Sequence, residues 1–131
     1  YALVPEDWAD AYARVNTPFA ASELACRAGL AALDDDEHVE KSVETARWAR
    51  EYMREEIDAP VWPSEGNFVL VDVSEARGPE SAGAVADEMQ RAGVIIRDCT
   101  SFGLPGCVRI TCGTEDGTRE AVERLNEVLD A

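Results

Sequence analysis

Two arginines near the end of the sequence, Arg97 and Arg109, have the type and spacing to bind an anion. In the segment 107–112 (CVRITC) the side chains of a strand would alternate between two faces, so Arg109 lies opposite Val108 and Ile110. Helices are expected to cover the apolar face, which leaves Arg109 on the other side of the sheet. Arg97 ends the preceding strand twelve residues earlier, and a hairpin of that length can bring the two guanidinium groups together. Because each guanidinium offers a planar fork of donors, the pair predicts a pocket for a carboxylate or a phosphate.

The same spacing leaves a second interpretation open, in which both residues are ordinary surface arginines paired with acidic side chains. The sequence has 27 acidic and 12 basic residues and a net charge of −15. A surface of this sign repels nucleic-acid phosphates and anionic lipid headgroups, so neither a nucleic acid nor a membrane is an expected partner. The acidic residues are spread along the chain, which favours adaptation to a salty cytoplasm over an ordinary acidic domain. Screening over ~3 Å at 1 M salt would weaken self-repulsion.

Other reactive side chains are few and scattered. The four cysteines and the single histidine show no paired ligand spacing, so the sequence predicts no metal site. The cysteines are expected to be reduced, partly buried thiols. Lys41 is the only lysine, and its charged surroundings predict an exposed position on a helix. The cysteines and the histidine are Cys26, Cys99, Cys107, Cys112 and His38.

The first part of the sequence is predicted to be mainly helical. Residues 1–4 are predicted to end a strand, residues 5–15 to form a short helix opened by proline, and residues 16–18 to break it. An alanine-rich helix is predicted over residues 19–33, and a long helix over residues 35–57, whose acidic first turn suits the positive end of the helix dipole. The long helix carries an apolar stripe at spacings of three and four, formed by Val39, Val43, Ala46, Ala49, Met53 and Ile57.

After two prolines the pattern changes to alternating strands and helices. Residues 67–73 predict a buried strand, Pro79 opens a helix, residues 94–97 and 107–112 predict two more strands, and Thr114 caps a last helix. The economical arrangement is a two-layer α+β fold, in which a three-stranded mixed sheet has its third strand in the centre and helices on one face. Four residues of the last helix are predicted to face the sheet: Thr118, Val122, Leu125 and Leu129.

Three segments of the sequence resemble histidinol-phosphate aminotransferases. Residues 93–114 (GVIIRDCTSFGLPGCVRITCGT) are similar to the signature near the C-terminus of that family. Residues 64–70 (SEGNFVL) resemble its SxxNF strand entry, and residues 15–33 (VNTPFAASELACRAGLAAL) resemble the helix after its large domain. The resemblance follows the family order and covers essentially all 131 residues.

The resemblance implies the C-terminal part of a fold-type I, class II pyridoxal-phosphate-dependent aminotransferase. Residues 1–33 would close the large cofactor-binding domain and form linker helices, and residues 34–131 would form the small domain. The resemblance implies a homodimer with its sites at the subunit interface, and a cytoplasmic location is expected. Because the chain begins with Tyr1 rather than Met, it is expected to be a piece of a longer protein, and no secretion signal is evident in it.

The resemblance also implies roles for individual residues. The arginine matching Arg109 would bind the carboxylate of glutamate or 2-oxoglutarate and the phosphate of L-histidinol phosphate, and the arginine matching Arg97 would assist it. The reaction would be amino transfer between these substrates, a step of histidine biosynthesis. The family's cofactor-binding lysine would precede Tyr1, and Lys41 is not expected to replace it. The chain is therefore predicted to hold no catalytic and no cofactor-binding residue of its own.

Two other functions are compatible with the sequence. Threonine-phosphate decarboxylase, a related enzyme of the same fold group, shares the pattern of an Arg-Asp turn, a hairpin and a second arginine. A different class of protein would use the βαββα unit as a free-standing module that binds a small anion.

Overall fold

A computed structural model describes residues 4–15 and 21–131. Residues 1–3 of the predicted strand end, the predicted helix break at 16–18 and the first two residues of the predicted second helix lie outside these ranges. The chain divides into two compact units, residues 1–37 and residues 38–131. The assignment of residues 1–33 to the end of a larger domain stays a prediction.

The described part of the first unit is helical. A 3₁₀ turn at Glu6–Trp8 leads into helix α1 (Ala9–Val15), and α2 follows at Glu23–Ala32. The α2 helix begins at Ser22 because the serine Oγ accepts a hydrogen bond of 3.2 Å from the backbone N–H of Ala25. Large apolar side chains of this unit are exposed, among them Trp8, Leu24 and Leu30.

Four strands form one antiparallel sheet in the second unit. They are β1 (Val61–Trp62), β2 (Phe68–Asp72), β3 (Arg97–Asp98) and β4 (Cys107–Thr111), and their order in the sheet is β1-β2-β4-β3. The central position of β4 is as predicted. The three-stranded mixed sheet was a wrong detail, because β1 adds a fourth strand and every pairing is antiparallel. The strands β2 and β3 run in the same direction, but β4 lies between them and pairs with both.

The two short strands explain why the sequence pattern was misleading. Strand β1 is flanked by Pro60 and Pro63, which predicted a break, although prolines at both ends still leave room for two residues at the edge of a sheet. Strand β3 was predicted over residues 94–97 but begins at Arg97. The N–H of Val94 instead donates a hydrogen bond of 2.9 Å to the carbonyl of Met89, which ties this segment to the preceding helix.

The core lies between one face of the sheet and three helices: α3 (Asp36–Glu56), α5 (Ala82–Arg91) and α6 (Glu115–Leu129). The four predicted core positions of α6 are all buried, and Thr114 caps this helix by accepting a hydrogen bond of 3.3 Å from the N–H of Gly117. The stripe on α3 is buried only in its second half. Its first half is open, because Val39 and Val43 are 53% and 42% exposed. The core consists mainly of Ala49, Met53, Val69, Val71, Val85, Met89, Val108, Ile110, Val122 and Leu125.

A short helix, α4 (Ser74–Arg77), was not predicted, and a carboxylate organises its start. The Asp72 side chain accepts hydrogen bonds of 2.9 Å from the N–H and of 2.5 Å from the hydroxyl of Ser74. These bonds lower the pKa of Asp72, since they favour the ionised carboxylate.

We expect this carboxylate to contribute to stability in a pH-dependent manner. A lowered pKa in the folded state stabilises the fold above the unfolded value of about 3.9, and this contribution is lost as the pH falls through the folded pKa. The difference in the free energy of unfolding between the parent chain and Asp72→Asn should therefore shrink as the pH falls below about 4. Chemical denaturation over a pH series measures it, and a difference that grows on acidification would contradict the interpretation.

Among the described helices, none combines the length and the apolar character that crossing a bilayer requires. Within residues 4–15 and 21–131, no three of the histidine, cysteine, aspartate and glutamate side chains come together as metal ligands would.

Candidate functional site

The hairpin formed by β3 and β4 brings the two arginines together. Arg97 and Arg109 are direct partners in the antiparallel register, and side chains of such partners leave the same face of the sheet with Cβ atoms about 5 Å apart. Val108 and Ile110, the neighbours of Arg109 in β4, are buried against the helices. Both arginines therefore lie on the open face of the sheet, opposite the core.

Within the described residues, neither arginine has a carboxylate partner. Five other arginines of the described chain each lie within 4.0 Å of a glutamate, whereas Arg97 and Arg109 form no ion pair with any described residue. The Nε atom of Arg109 is buried and has no hydrogen-bond partner there either. This arrangement argues against two surface arginines neutralised by the many acidic side chains.

Without a bound anion, the placement of Arg97 opposite Arg109 destabilises the fold. Like charges directly opposite each other on neighbouring strands destabilise a sheet, and a buried donor without an acceptor keeps its cost of desolvation. A bound anion would relieve the repulsion between the two guanidinium groups, because carboxylate or phosphate oxygens accept hydrogen bonds from both of them. The two guanidinium groups on the open face therefore supply the donors that a carboxylate or phosphate site would need.

Each arginine lies against a phenylalanine ring. The Cζ atom of Arg109 is 5.2 Å from the ring centroid of Phe68, and that of Arg97 is 5.6 Å from the centroid of Phe102. Neither ring is predicted as a site residue from the sequence, although both lie in the segments that carry the family resemblance. Phe68 lies on the strand that pairs with β4, and only the register of that pairing shows that it neighbours Arg109.

The thiols beside the arginines are not suited to act as nucleophiles. Cys99 and Cys107 are buried free cysteines near the end of the hairpin. Burial raises the pKa of Cys99, against the opposing effect of the Arg109 guanidinium, and burial likewise raises the pKa of Cys107. A raised pKa disfavours the thiolate, which is the reactive form.

A separate open groove of about 410 Å³ runs along the first half of α3. The exposed half of the apolar stripe lies here, with Val39 and Val43 on one side and Gly66 and Asn67 on the other. Lys41 lines a neighbouring open cavity of about 440 Å³ together with residues that include Asn67. The first half of the predicted stripe on α3 is exposed because its side chains line an open groove instead of packing against the sheet.

Comparison with known proteins identifies the family. A family model described as aminotransferase class I and II matches residues 1–125. A histidinol-phosphate aminotransferase of Haloarcula marismortui is 68% identical over 130 residues, which cover 99% of this chain and 34% of that protein. One of Methanosarcina barkeri is 44% identical over 124 residues, which cover 93% of this chain and 33% of that protein. The chain therefore spans about a third of the length of the curated relatives it matches.

A solved structure shows the same fold. Histidinol-phosphate aminotransferase from Sinorhizobium meliloti in complex with pyridoxal-5'-phosphate matches 92% of this chain and 33% of its own chain, with a TM-score of 0.70 and 24% identity. That likeness concerns the fold alone. Relatives from halophilic organisms also fit the salt adaptation predicted from the net charge of −15.

Proposed function

Because the chain belongs to the aminotransferase class I and II family, we propose that it is the C-terminal part of a histidinol-phosphate transaminase and supplies its substrate-binding arginines. The reaction is amino transfer between L-histidinol phosphate and 2-oxoglutarate. The observation that carries the proposal is the pair Arg97 and Arg109, whose guanidinium groups share the open face of the sheet without a carboxylate partner among the described residues.

One pair of arginines suits both substrates, because each substrate ends in an anion. A guanidinium binds a carboxylate or a phosphate through two parallel N–H donors, which fix the orientation of the anion as well as its position. Holding the anionic end places the reacting amino or keto group of the substrate at a defined distance from the two arginines. The contribution of this chain to catalysis is thus substrate positioning rather than a chemical step.

The two arginines have different surroundings and, in the proposal, different roles. Arg109 is partly buried, its Nε is enclosed, and it lies on the central strand β4. Arg97 is exposed and lies on the two-residue edge strand β3. Arg109 is therefore the main anion-binding residue, and Arg97 adds a second charge that matters most for the doubly charged phosphate.

The described residues do not fit pyridoxal phosphate, the cofactor of the relative from Sinorhizobium meliloti. When bound, that cofactor supplies the electron sink for amino transfer. Lysines that bond to carbonyl carbons in enzymes are desolvated or lie beside another cation. Lys41 is exposed, and Glu37 and Glu44 occupy neighbouring positions on the same helix. We infer that residues outside this chain, in the part that corresponds to the remaining two thirds of the relatives, hold the cofactor. We also infer that the complete protein is a cytoplasmic homodimer.

The proposed activity can be tested on the complete protein that contains this chain. With L-histidinol phosphate and 2-oxoglutarate we expect glutamate and the corresponding keto phosphate in equal amounts. With threonine phosphate we expect no release of carbon dioxide. Carbon dioxide released from threonine phosphate without amino transfer from histidinol phosphate would overturn the proposal in favour of a decarboxylase.

A further inference from the structure

Within the described residues, the guanidinium of Arg109 contacts an aromatic ring rather than an acid. The Phe68 ring lies against the group at 5.2 Å from its centroid, while the Nε atom has no acceptor within the described chain. An aromatic ring attracts a cation over its face. A face contact of this kind leaves the in-plane donors of the guanidinium available, and these are the donors that bind a carboxylate or a phosphate.

Phe68 has no evident structural role on its own. It lies on the face of the sheet opposite the core and is 39% exposed, whereas its neighbour Val69 is 1% exposed. In the register of β2 and β4, Phe68 is paired with Thr111 and Leu70 with Arg109. The ring is therefore a diagonal neighbour of Arg109 on the same face, within reach for an aromatic side chain.

The ring itself is held in place from below. A Cβ atom added at Gly66 would lie 3.3 Å from Cε1 and 3.5 Å from Cδ1 of Phe68, so the ring rests against the bare Cα of Gly66. The N–H of Gly66 donates a hydrogen bond of 3.1 Å to the hydroxyl of Ser64. The ring of Phe68 therefore occupies space that a side chain at position 66 would restrict.

Arg50 of α3 fixes the same glycine from the other side. Its Nη1 donates a hydrogen bond of 2.7 Å to the carbonyl of Gly66, and the Arg50 side chain is only 17% exposed. The nearest carboxylate, that of Glu65, is 4.0 Å away. The short hydrogen bond of Arg50 therefore connects α3 to the backbone of Gly66. Gly66 in turn lies beside the ring of Phe68, and this ring contacts Arg109.

We propose that Phe68, resting on Gly66, is a positioning residue that orients Arg109 for the anionic end of the substrate. The inference rests on the proposed function for the identity of the substrates, but its central claim concerns anion binding at Arg109. Phe68 does not touch the reacting atoms. Its loss should therefore weaken the binding of anions and leave the chemical step largely unchanged.

The test uses the complete protein with its cofactor and takes inorganic phosphate as the probe. Phe68→Leu should raise the Kd of phosphate about fivefold, the size expected when a cation–π contact is lost. The KM of both substrates should rise similarly, while kcat stays within about twofold. Phe68→Tyr keeps an aromatic face and should restore phosphate binding to within about twofold of the parent.

The chain offers a matched control in another arginine–aromatic contact. Arg119 lies over Trp48 at 5.2 Å, the same distance as in the Arg109–Phe68 pair, but on the helices α6 and α3. Trp48→Leu should lower the Tm and leave the Kd of phosphate unchanged. A change in Kd as large as that of Phe68→Leu would show a general effect on the fold and would overturn the proposal.

A second variant keeps the proposal testable if Phe68→Leu does not fold. Gly66→Ala removes no contact, but its methyl group would shift the ring of Phe68 by a few tenths of an ångström, so the Kd of phosphate should rise, by less than in Phe68→Leu, while the Tm stays close to that of the parent. A Kd equal to the parent value in Gly66→Ala, or in a folded Phe68→Leu, would overturn the positioning role. Unchanged phosphate binding in Arg109→Ala would overturn it too, since the anion would then bind elsewhere.

The two proposals fail in different ways. A protein that binds phosphate through Arg109 and Phe68 but does not transfer amino groups from histidinol phosphate refutes the proposed function alone. A protein that transfers amino groups from histidinol phosphate, but whose phosphate Kd and substrate KM are unchanged in Phe68→Leu, refutes the role of Phe68 alone.

Discussion

Replacing Arg109 by alanine in the complete protein is expected to lower kcat/KM by on the order of 100-fold or more for histidinol phosphate and for glutamate alike. A hydrogen bond to a charged group contributes roughly 1.5–3 kcal/mol, and a two-donor contact that is lost in the transition state reaches this factor. The effect should appear in both half-reactions, because both substrates present an anion to the same fork. Absorbance changes of the bound cofactor in single turnovers measure the two half-reactions separately.

Two further variants separate charge from geometry. Arg109→Lys should recover only part of the loss, since an ammonium keeps the charge but not the planar fork. Arg97→Ala should be milder and should affect the phosphate substrate more than the carboxylate substrate, because Arg97 is exposed and the phosphate carries the larger charge. If Arg109→Ala stayed within about threefold of the parent in both half-reactions, the anion site would be placed wrongly.

The parts of the fold that could be predicted from the sequence are those in which burial follows a regular period. Helix α6 buries the residues that its 3.6-residue period selects, and strand β4 buries Val108 and Ile110 but not Arg109. Helix α5 likewise buries Val85 and Met89, which lie four positions apart on one face. In each case one face of the element meets the core along its whole length, so local pattern and tertiary structure agree.

The errors lie where a local pattern competes with longer-range contacts. Val39 and Val43 continue the apolar stripe of α3, but they lie beside an open groove rather than the sheet. The residues before Arg97 have strand-forming side chains, yet the N–H of Val94 donates a hydrogen bond to the carbonyl of Met89 in α5. The strand β1 has only two residues, which is too few to show the alternation of buried and exposed side chains that identifies a strand.

The candidate site shows the same division. Alternation in one strand is enough to place Arg109 on the open face, and a short hairpin is enough to bring Arg97 beside it. Whether either arginine meets one of the 27 acidic residues depends on distances between elements, which no single segment specifies. The contact between Phe68 and Arg109 depends on the register between two strands that are distant in sequence, so it could not be foreseen.

The largest effect on stability is expected at Leu125. This side chain is fully buried in α6 at 0% exposure, in contact with the core of the second unit. Leu125→Ala removes buried methyl and methylene groups and leaves a cavity, which should lower the free energy of unfolding of the 131-residue chain by about 2–5 kcal/mol. Since domains are typically stable by about 5–15 kcal/mol, this is a large share of the total. Urea denaturation at one fixed salt concentration measures it, because salt screens the net charge of −15.

Leu24 provides the matched control, since it is also a helical leucine replaced by a good helix former. It lies on α2 and is 78% exposed, so Leu24→Ala removes little buried surface and should change the free energy of unfolding by no more than about 0.5 kcal/mol. Neither replacement should alter the slope of the denaturation curve if the unfolded states are equally exposed. Equal losses at the two leucines would mean that the stability of the chain does not depend on the core between α3, α5, α6 and the sheet. A loss at Leu125 alone would show that stability depends on the packing of α6 against the sheet. The opposite face of that sheet carries Arg109.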